Sequence, residues 1–207
     1  MKFVIAIDGP AAAGKGTIAA KLVKKFKFAY LDTGLLYRAV ASKSLNEGVK
    51  PEIAASNLTQ DDLMKSNLRD PVISKEASKV AIIPEVRSYL QSFQTEFSKR
   101  SGGVILDGRD IGTVICPDAD IKFFICATAQ VRARRRYIEL LGRGVKTNLE
   151  KVSEEIIRRD EIDSKRDHSP LLKATDAILI DTSLLSIEQA FKIVEEFVKK
   201  ELKKSGS

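Results

Sequence analysis

The sequence predicts an α/β domain whose five-stranded, largely parallel sheet is flanked by helices. Three observations carry that prediction. Short apolar runs at residues 2–7, 28–31, 104–106, 121–126 and 177–180 have the length and continuity of strands buried on both faces. Helix-length amphipathic stretches separate those runs, which is the alternation that builds parallel sheets. The chain has 207 residues, 43% of them hydrophobic and 30% charged, a length and balance suited to one globular domain with a substantial core.

Taken in order, the run at 2–7 opens the sheet; it is far too short for the apolar part of a signal peptide and lacks a small-residue cleavage pattern. A glycine-rich loop follows, then a helix over 15–26 and the second strand. Thr33 is placed to cap a helix over 34–46. Gly48 to Asp70 is polar, carries Pro51 and holds no convincing strand, so it reads as a small helical insertion, taken here as residues 48–73. A single helix bent at Pro84 is expected over 74–98, and the third strand after it ends in Asp107-Gly108-Arg109-Asp110. Helices over 129–141 and 149–164 flank residues 142–148, a basic loop bracketed by Gly142 and Gly144 with the composition of a mobile cover. After the fifth strand comes a helix over 187–203, whose Lys199, Lys200, Lys203 and Lys204 suit its negative dipole end. Ser205-Gly206-Ser207 reads as an unstructured end.

Composition excludes several classes of function. No apolar run approaches the ~20 residues of a membrane helix. Two cysteines, Cys116 and Cys126, make no disulfide framework and point to the reducing cytosol. With 35 Lys+Arg against 28 Asp+Glu the formal charge is +7, which favours an anionic partner without choosing among nucleic acid, a membrane surface and a phosphorylated ligand. A monomer is expected, since no sustained heptad or long apolar stripe marks an interface.

The most specific motif is Gly9-Pro10-Ala11-Ala12-Ala13-Gly14-Lys15-Gly16-Thr17, which follows a strand and opens a helix. Backbone amides of such a loop, with the helix N-terminus, surround a phosphate, and Lys15 reaches the terminal phosphates as a point charge. Gly16 stands where a hydroxyl residue usually follows the lysine. The hydroxyl comes one position later at Thr17, so magnesium is expected to be held partly through water, with Asp107 as a second candidate ligand. ATP or GTP binding follows from the loop; the reaction does not.

Arginines narrow the reaction. Arg38 lies one turn inside the second helix, and Arg109 and Asp110 end the third strand at the carboxyl edge of the sheet, where open α/β sheets bind ligands. Arg132, Arg135 and Arg136 share a helix face; Arg159 and Arg166 lie on or just beyond the next helix. A hydroxyl acceptor would call for a base, whereas a phosphate acceptor is already anionic and presents repulsion instead. Donor triphosphate and acceptor monophosphate bring about six negative charges together, which magnesium, a lysine and several arginines must offset. A nucleic-acid surface is the rival reading of these arginines, but such surfaces interleave aromatics for stacking and only Tyr137 is near. His168, the lone histidine, reads as a loop residue without a catalytic role.

Together with the loop, Leu31-Asp32-Thr33-Gly34 followed by Tyr37-Arg38, Asp107-Gly108-Arg109-Asp110-Ile111-Gly112-Thr113-Val114, and Arg159-Asp160 followed by Asp163 and Arg166 resemble the bacterial cytidylate kinases, in order and over nearly the whole chain. The resemblance implies a P-loop kinase core with a nucleoside monophosphate insertion at 48–73 and a lid at 142–148, and transfer of the ATP γ-phosphate to CMP or dCMP with Mg2+. Lys15, Arg38, Arg109 and Arg159 would carry the chemistry. Residues 9–17 would hold ATP, with Arg132 and Arg136 beside its phosphates. Ser78 and Asp110 would face the cytosine amine, Arg87 its ring acceptors, and Asp163 the sugar hydroxyls. Thr33 and Tyr37 would line the site, while Arg159 and Arg166 would arrive with the closing helix. Bacterial cytidylate kinases usually carry a larger insertion with a small β-sheet; the shortened one here bears on acceptor affinity and on the choice between ribose and deoxyribose.

Overall fold

The computed structural model describes residues 2–205. Five strands, β1 (Val4–Asp8), β2 (Ala29–Asp32), β3 (Val104–Gly108), β4 (Ile121–Cys126) and β5 (Ile178–Asp181), pair in the order β2-β3-β1-β4-β5, every neighbour parallel. β1 is central and buried throughout, and its side chains alternate between two cores. Ile5 and Ile7 join Phe3, Leu22, Ile105, Phe123 and Val194 under α1 (Lys15–Phe26) and α9 (Ile187–Ser205). Val4 and Ala6 pack on the other face with Phe97, Leu106 and Ile111. Each large apolar side chain so buried contributes about 1.5–3 kcal/mol, so the central strand is the best-anchored element of the sheet.

α2 (Thr33–Glu47) begins one residue earlier than the sequence predicts, with Asp32 at the cap position. Thr33 does not cap it. Its Oγ1 donates instead to the Asp107 carbonyl at 2.8 Å, which ties the start of the helix to the end of β3. The insertion is helical, as read: α3 (Pro51–Ser56) starts on a proline at its first turn, and α4 (Gln60–Met64) starts on a reciprocal Thr59–Asp62 capping box. The single bent helix expected over 74–98 is two helices, α5 (Pro71–Val80) and α6 (Pro84–Ser98). Ile83, immediately before Pro84, is extended (φ −79°, ψ 117°), because a proline disfavours helical backbone in the residue preceding it. Leu36, Val40, Ala54, Ile73, Ala77, Val80, Val86 and Leu90 from α2, α3, α5 and α6 form a core of their own beside the sheet.

After β3 the chain makes a π-helical turn over Ile111–Ile115 that periodicity gave no sign of. α7 (Ala129–Gly142) and α8 (Leu149–Lys165) pack on one another, and Ala133 and Ile156 from the pair enclose Ala11 of the glycine-rich loop. Among the described residues no helix is long and apolar enough to cross a membrane. Ser205 is the last residue of α9; Gly206 and Ser207 of the expected unstructured end lie outside the described residues.

Candidate active site

The phosphate cradle begins where β1 ends. At Gly9 (φ +142°) a Cβ would stand 1.9 Å from the Ile125 carbonyl oxygen, so the first glycine is dictated by the neighbouring strand as well as by its torsion. Ala12 and Gly14 are also left-handed (φ 59° and 100°), which curls residues 9–14 around the N-terminus of α1. That terminus has no side-chain cap, leaving its amides for an anion. Lys15 is buried and folds back on the loop, donating to the Gly9 and Pro10 carbonyls at 2.7 and 2.9 Å. Burial, reinforced by the Arg109 guanidinium, pushes its pKa down to about 7.

Gly16 faces a small acidic corner: a Cβ there would lie 3.6 Å from the Tyr30 hydroxyl and 3.7 Å from Asp107 Oδ2. Asp107 is pushed up to about 7, by burial first and by the Asp32 carboxylate second, while a hydrogen bond from Tyr30 works against both. Thr17 is exposed on the first turn of α1. Among the described residues no group of three or more His, Cys, Asp or Glu side chains is arranged to hold a metal ion by itself.

A cleft lies between β3, α2, α5, α6 and α8. Thr33, Tyr37, Ser78, Arg87, Arg109, Asp110, Arg159, Asp163 and Arg166 all line it, although they come from widely separated positions in the chain. Arg38 stands at its edge, its NH1 3.6 Å from where a Gly34 Cβ would project. Arg109 donates Nε to Asp163 at 2.7 Å. Arg87 pairs with Asp110 Oδ2, and the other Asp110 oxygen lies 3.7 Å from Arg166 NH2. The Arg87 guanidinium also sits 5.8 Å from the centre of the Tyr37 ring. Arg159 Nε and Arg166 NH2 are buried without a hydrogen-bond partner. Burial and the Arg109 charge pull the Arg159 pKa down to about 9, since several guanidinium groups are crowded together there.

α7 distributes its arginines differently. Arg132 is buried with its donors occupied: Nε on the Ala127 carbonyl at 2.8 Å, NH1 on Ala11 O at 3.3 Å, and a fork on Asp160 at 2.9 and 2.6 Å. It grips the loop from behind. Arg136 pairs with Glu139 at 2.6 Å and stands near enough to Arg38 and Arg159 for its charge to lower both of their pKa values. His168 is exposed just beyond α8.

Other residues matter to the site without having been singled out from sequence. Asp8 accepts from the Ile111 and Gly112 amides at 2.8 and 2.7 Å and so carries the turn that follows Arg109 and Asp110. Arg69 pairs with Asp32 at 2.7 Å. Arg143, in the 142–148 loop, donates to the Arg69 carbonyl at 2.6 Å and to Asp70 at 3.1 Å, strapping that loop to the end of the insertion. Two of these had a signal in the sequence: Asp8 is a carboxylate ending an otherwise apolar central strand, and Arg143 is a basic residue of the glycine-bracketed loop at 142–148, although its partners Arg69 and Asp70 were not foreseen.

With the site in place, comparison with known proteins gives a consistent result. A family model described as "Cytidylate kinase" matches residues 5–61 and 52–200. A cytidylate kinase of Cereibacter sphaeroides is 49% identical over 190 residues, 92% of each chain. One of Acidiphilium cryptum is 47% identical over 205 residues, 96% of each chain. Among solved structures, a gluconokinase from Sinorhizobium meliloti 1021 superposes with a TM-score of 0.53 at 11% identity, covering 99% of this chain and 98% of its own, a likeness of fold.

Proposed function

Given that the chain belongs to the cytidylate kinase family, we propose that it transfers the γ-phosphate of ATP to CMP or dCMP, giving ADP and the nucleoside diphosphate, at the cleft between the phosphate cradle and α8. The observation that carries this reading is the wall formed by Ser78, Arg87 and Asp110, which sits in the same cleft as the buried guanidinium atoms of Arg159 and Arg166 that make no hydrogen bond and lie 3.9 and 3.7 Å from the Asp163 and Asp110 carboxylates. An exocyclic amine needs acceptors, and the Ser78 hydroxyl and Asp110 carboxylate supply them; Arg87 offers donors for the neighbouring O2 and N3. Uracil would turn a carbonyl toward the Asp110 carboxylate, acceptor against acceptor, so the wall discriminates by repulsion as well as attraction.

Around the reacting phosphates the residues work by position and charge. Arg38 and Arg109 hold the acceptor phosphate, Lys15 leaves its loop carbonyls for the donor phosphates, and Arg159 and Arg136 neutralise charge between the two. Asp163 meets the sugar hydroxyls, and its ion pair with Arg109 fixes that guanidinium in direction. Residues 48–73 serve as the acceptor-side insertion and 142–148 as the lid, whose closure excludes water and limits hydrolysis of ATP. The oxygen donors at Thr17 and Asp107 suit Mg2+, which takes one or two protein ligands and completes its shell with phosphates and water. When bound, the ion neutralises phosphate charge. On this reading the chain is a cytosolic monomer with no nucleic-acid partner.

A coupled assay of ADP formation tests the assignment, with MgATP and CMP, dCMP, UMP, AMP or no acceptor in parallel. CMP and dCMP alone should stimulate turnover, their ratio reporting the effect of the short insertion. Equal stimulation by UMP would overturn the role given to Asp110.

A further inference from the structure

The glycine-rich loop is held from outside by its carbonyls. Lys15 takes those of Gly9 and Pro10, Arg132 takes Ala11, and the Thr182 hydroxyl donates to Ala13 at 3.1 Å. A peptide unit is planar and trans, so its N–H points opposite to its C=O. Each carbonyl tied outward therefore turns the next N–H inward. The ties at Ala11 and Ala13, which do not involve Lys15, aim the amides of Ala12 and Gly14 toward the space that a phosphate fills.

Thr182 is 3% exposed, just past β5, and its own amide donates to the Cys126 carbonyl at 2.8 Å. The hydroxyl has one proton and two acceptors in reach, Ala13 O at 3.1 Å and Cys126 O at 3.0 Å. Arg135 fixes this arrangement with a two-pronged contact, NH1 to Thr182 Oγ1 at 2.9 Å and NH2 to Thr182 O at 2.7 Å. Because the guanidinium occupies a lone pair, the hydroxyl must direct its proton toward the two carbonyls. Arg132 and Arg135, one turn apart on α7, thus reach successive parts of the same loop, one directly and one through a threonine.

We propose that Arg135 and Thr182 are positioning residues for the phosphoryl donor: they aim the Gly14 amide into the cradle, so that affinity for ATP is set in part from α7, the helix that leads into the lid. The inference rests on the cradle's being the ATP site and is independent of which acceptor is used.

Thr182→Val removes the hydroxyl at nearly constant shape, and Thr182→Ser keeps it. Calorimetric titration of the full chain with MgATP, without acceptor, should show the valine variant binding about tenfold more weakly, the scale of one buried hydrogen bond, with the serine variant close to wild type. CMP binding, titrated separately, should be unchanged in both. Arg135→Ala should weaken ATP in the same direction and add little when combined with Thr182→Val, since the two act through one bond; as a change at a partly exposed position it also serves should the valine variant fail to fold. Wild-type affinity for ATP in Thr182→Val or Arg135→Ala would overturn the proposal. So would equal weakening of ATP and CMP with a lowered Tm, which marks a general structural role. If CMP is not the acceptor, the wild-type turnover assay reveals it while the ATP titrations stand.

Discussion

On the proposed function Lys15 meets two opposed demands, since it must be buried to reach a triphosphate without competing water and charged to attract it. Burial and the Arg109 charge set its pKa near 7 in the ligand-free site. A triphosphate placed against the ammonium raises that value again, so ATP binding at pH 8 with magnesium withheld should take up protons. The dependence of the calorimetric heat on buffer ionisation enthalpy reads the uptake directly, and a heat that ignores the buffer would contradict it. Arg109 makes the sharper kinetic prediction. Its Nε is fixed by Asp163 and its charge bears on Lys15, so Arg109→Ala should lower kcat by about 10²-fold or more if it stabilises the transferring phosphoryl group. An unchanged rate in single-turnover measurements would remove it from the catalytic set.

Elements differ in how openly the sequence announces them. Buried parallel strands and amphipathic helices come from local pattern, and the lengths expected for β1, α1, α7 and α8 are close to those observed. The break between α5 and α6 was marked by Pro84 but underestimated, because a bend and a three-residue link look alike until Ile83 is seen extended. The π-helical turn at Ile111–Ile115 had no local signature, since part of its support comes from Asp8, more than a hundred positions earlier. The same reason hid Thr182, and it hid the partner of Arg135, whose place on an arginine-bearing helix face was legible but whose contact with Thr182 is made only by the strand order. By contrast, the residues that line the cleft were named in advance through the family resemblance, and the structure brings them together from distant parts of the chain. Asp8 also gives this turn a pH signature. Its carboxyl is pushed up to about 6, chiefly by burial. A folded-state pKa raised above the unfolded value contributes stability that is present at low pH and lost as pH rises through the folded value. The stability of wild type relative to Asp8→Asn should therefore shrink between pH 4 and pH 6, as read by urea denaturation at each pH, and a flat difference would refute the burial of that charge.

Across the whole molecule, the two cores on either side of the sheet are joined to the separate helical core of α2, α3, α5 and α6, with the cleft where the last of these meets the sheet edge. Arg143 joins the 142–148 loop to Arg69 and Asp70, just ahead of α5. The contact is half-exposed, so it is worth at most about 1 kcal/mol, and Arg143→Ala should shift Tm by no more than about 2–4 °C. Hydrogen exchange at the Arg143, Gly144 and Val145 amides, which donate to the Glu139, Leu140 and Leu141 carbonyls, should nevertheless quicken, because the strap adds to what holds that turn; unchanged exchange would show that the turn holds itself. Asp8 and Gly9 are consecutive residues at the end of the central strand, yet the first carries the turn after Arg109 and Asp110 and the second opens the phosphate cradle. For anyone recombining parts of such enzymes, the segment 107–116 is therefore no free-standing cassette: transplanted behind a first strand that ends without a carboxylate, it would arrive with two amides unpaired, and the graft must carry position 8 along with it.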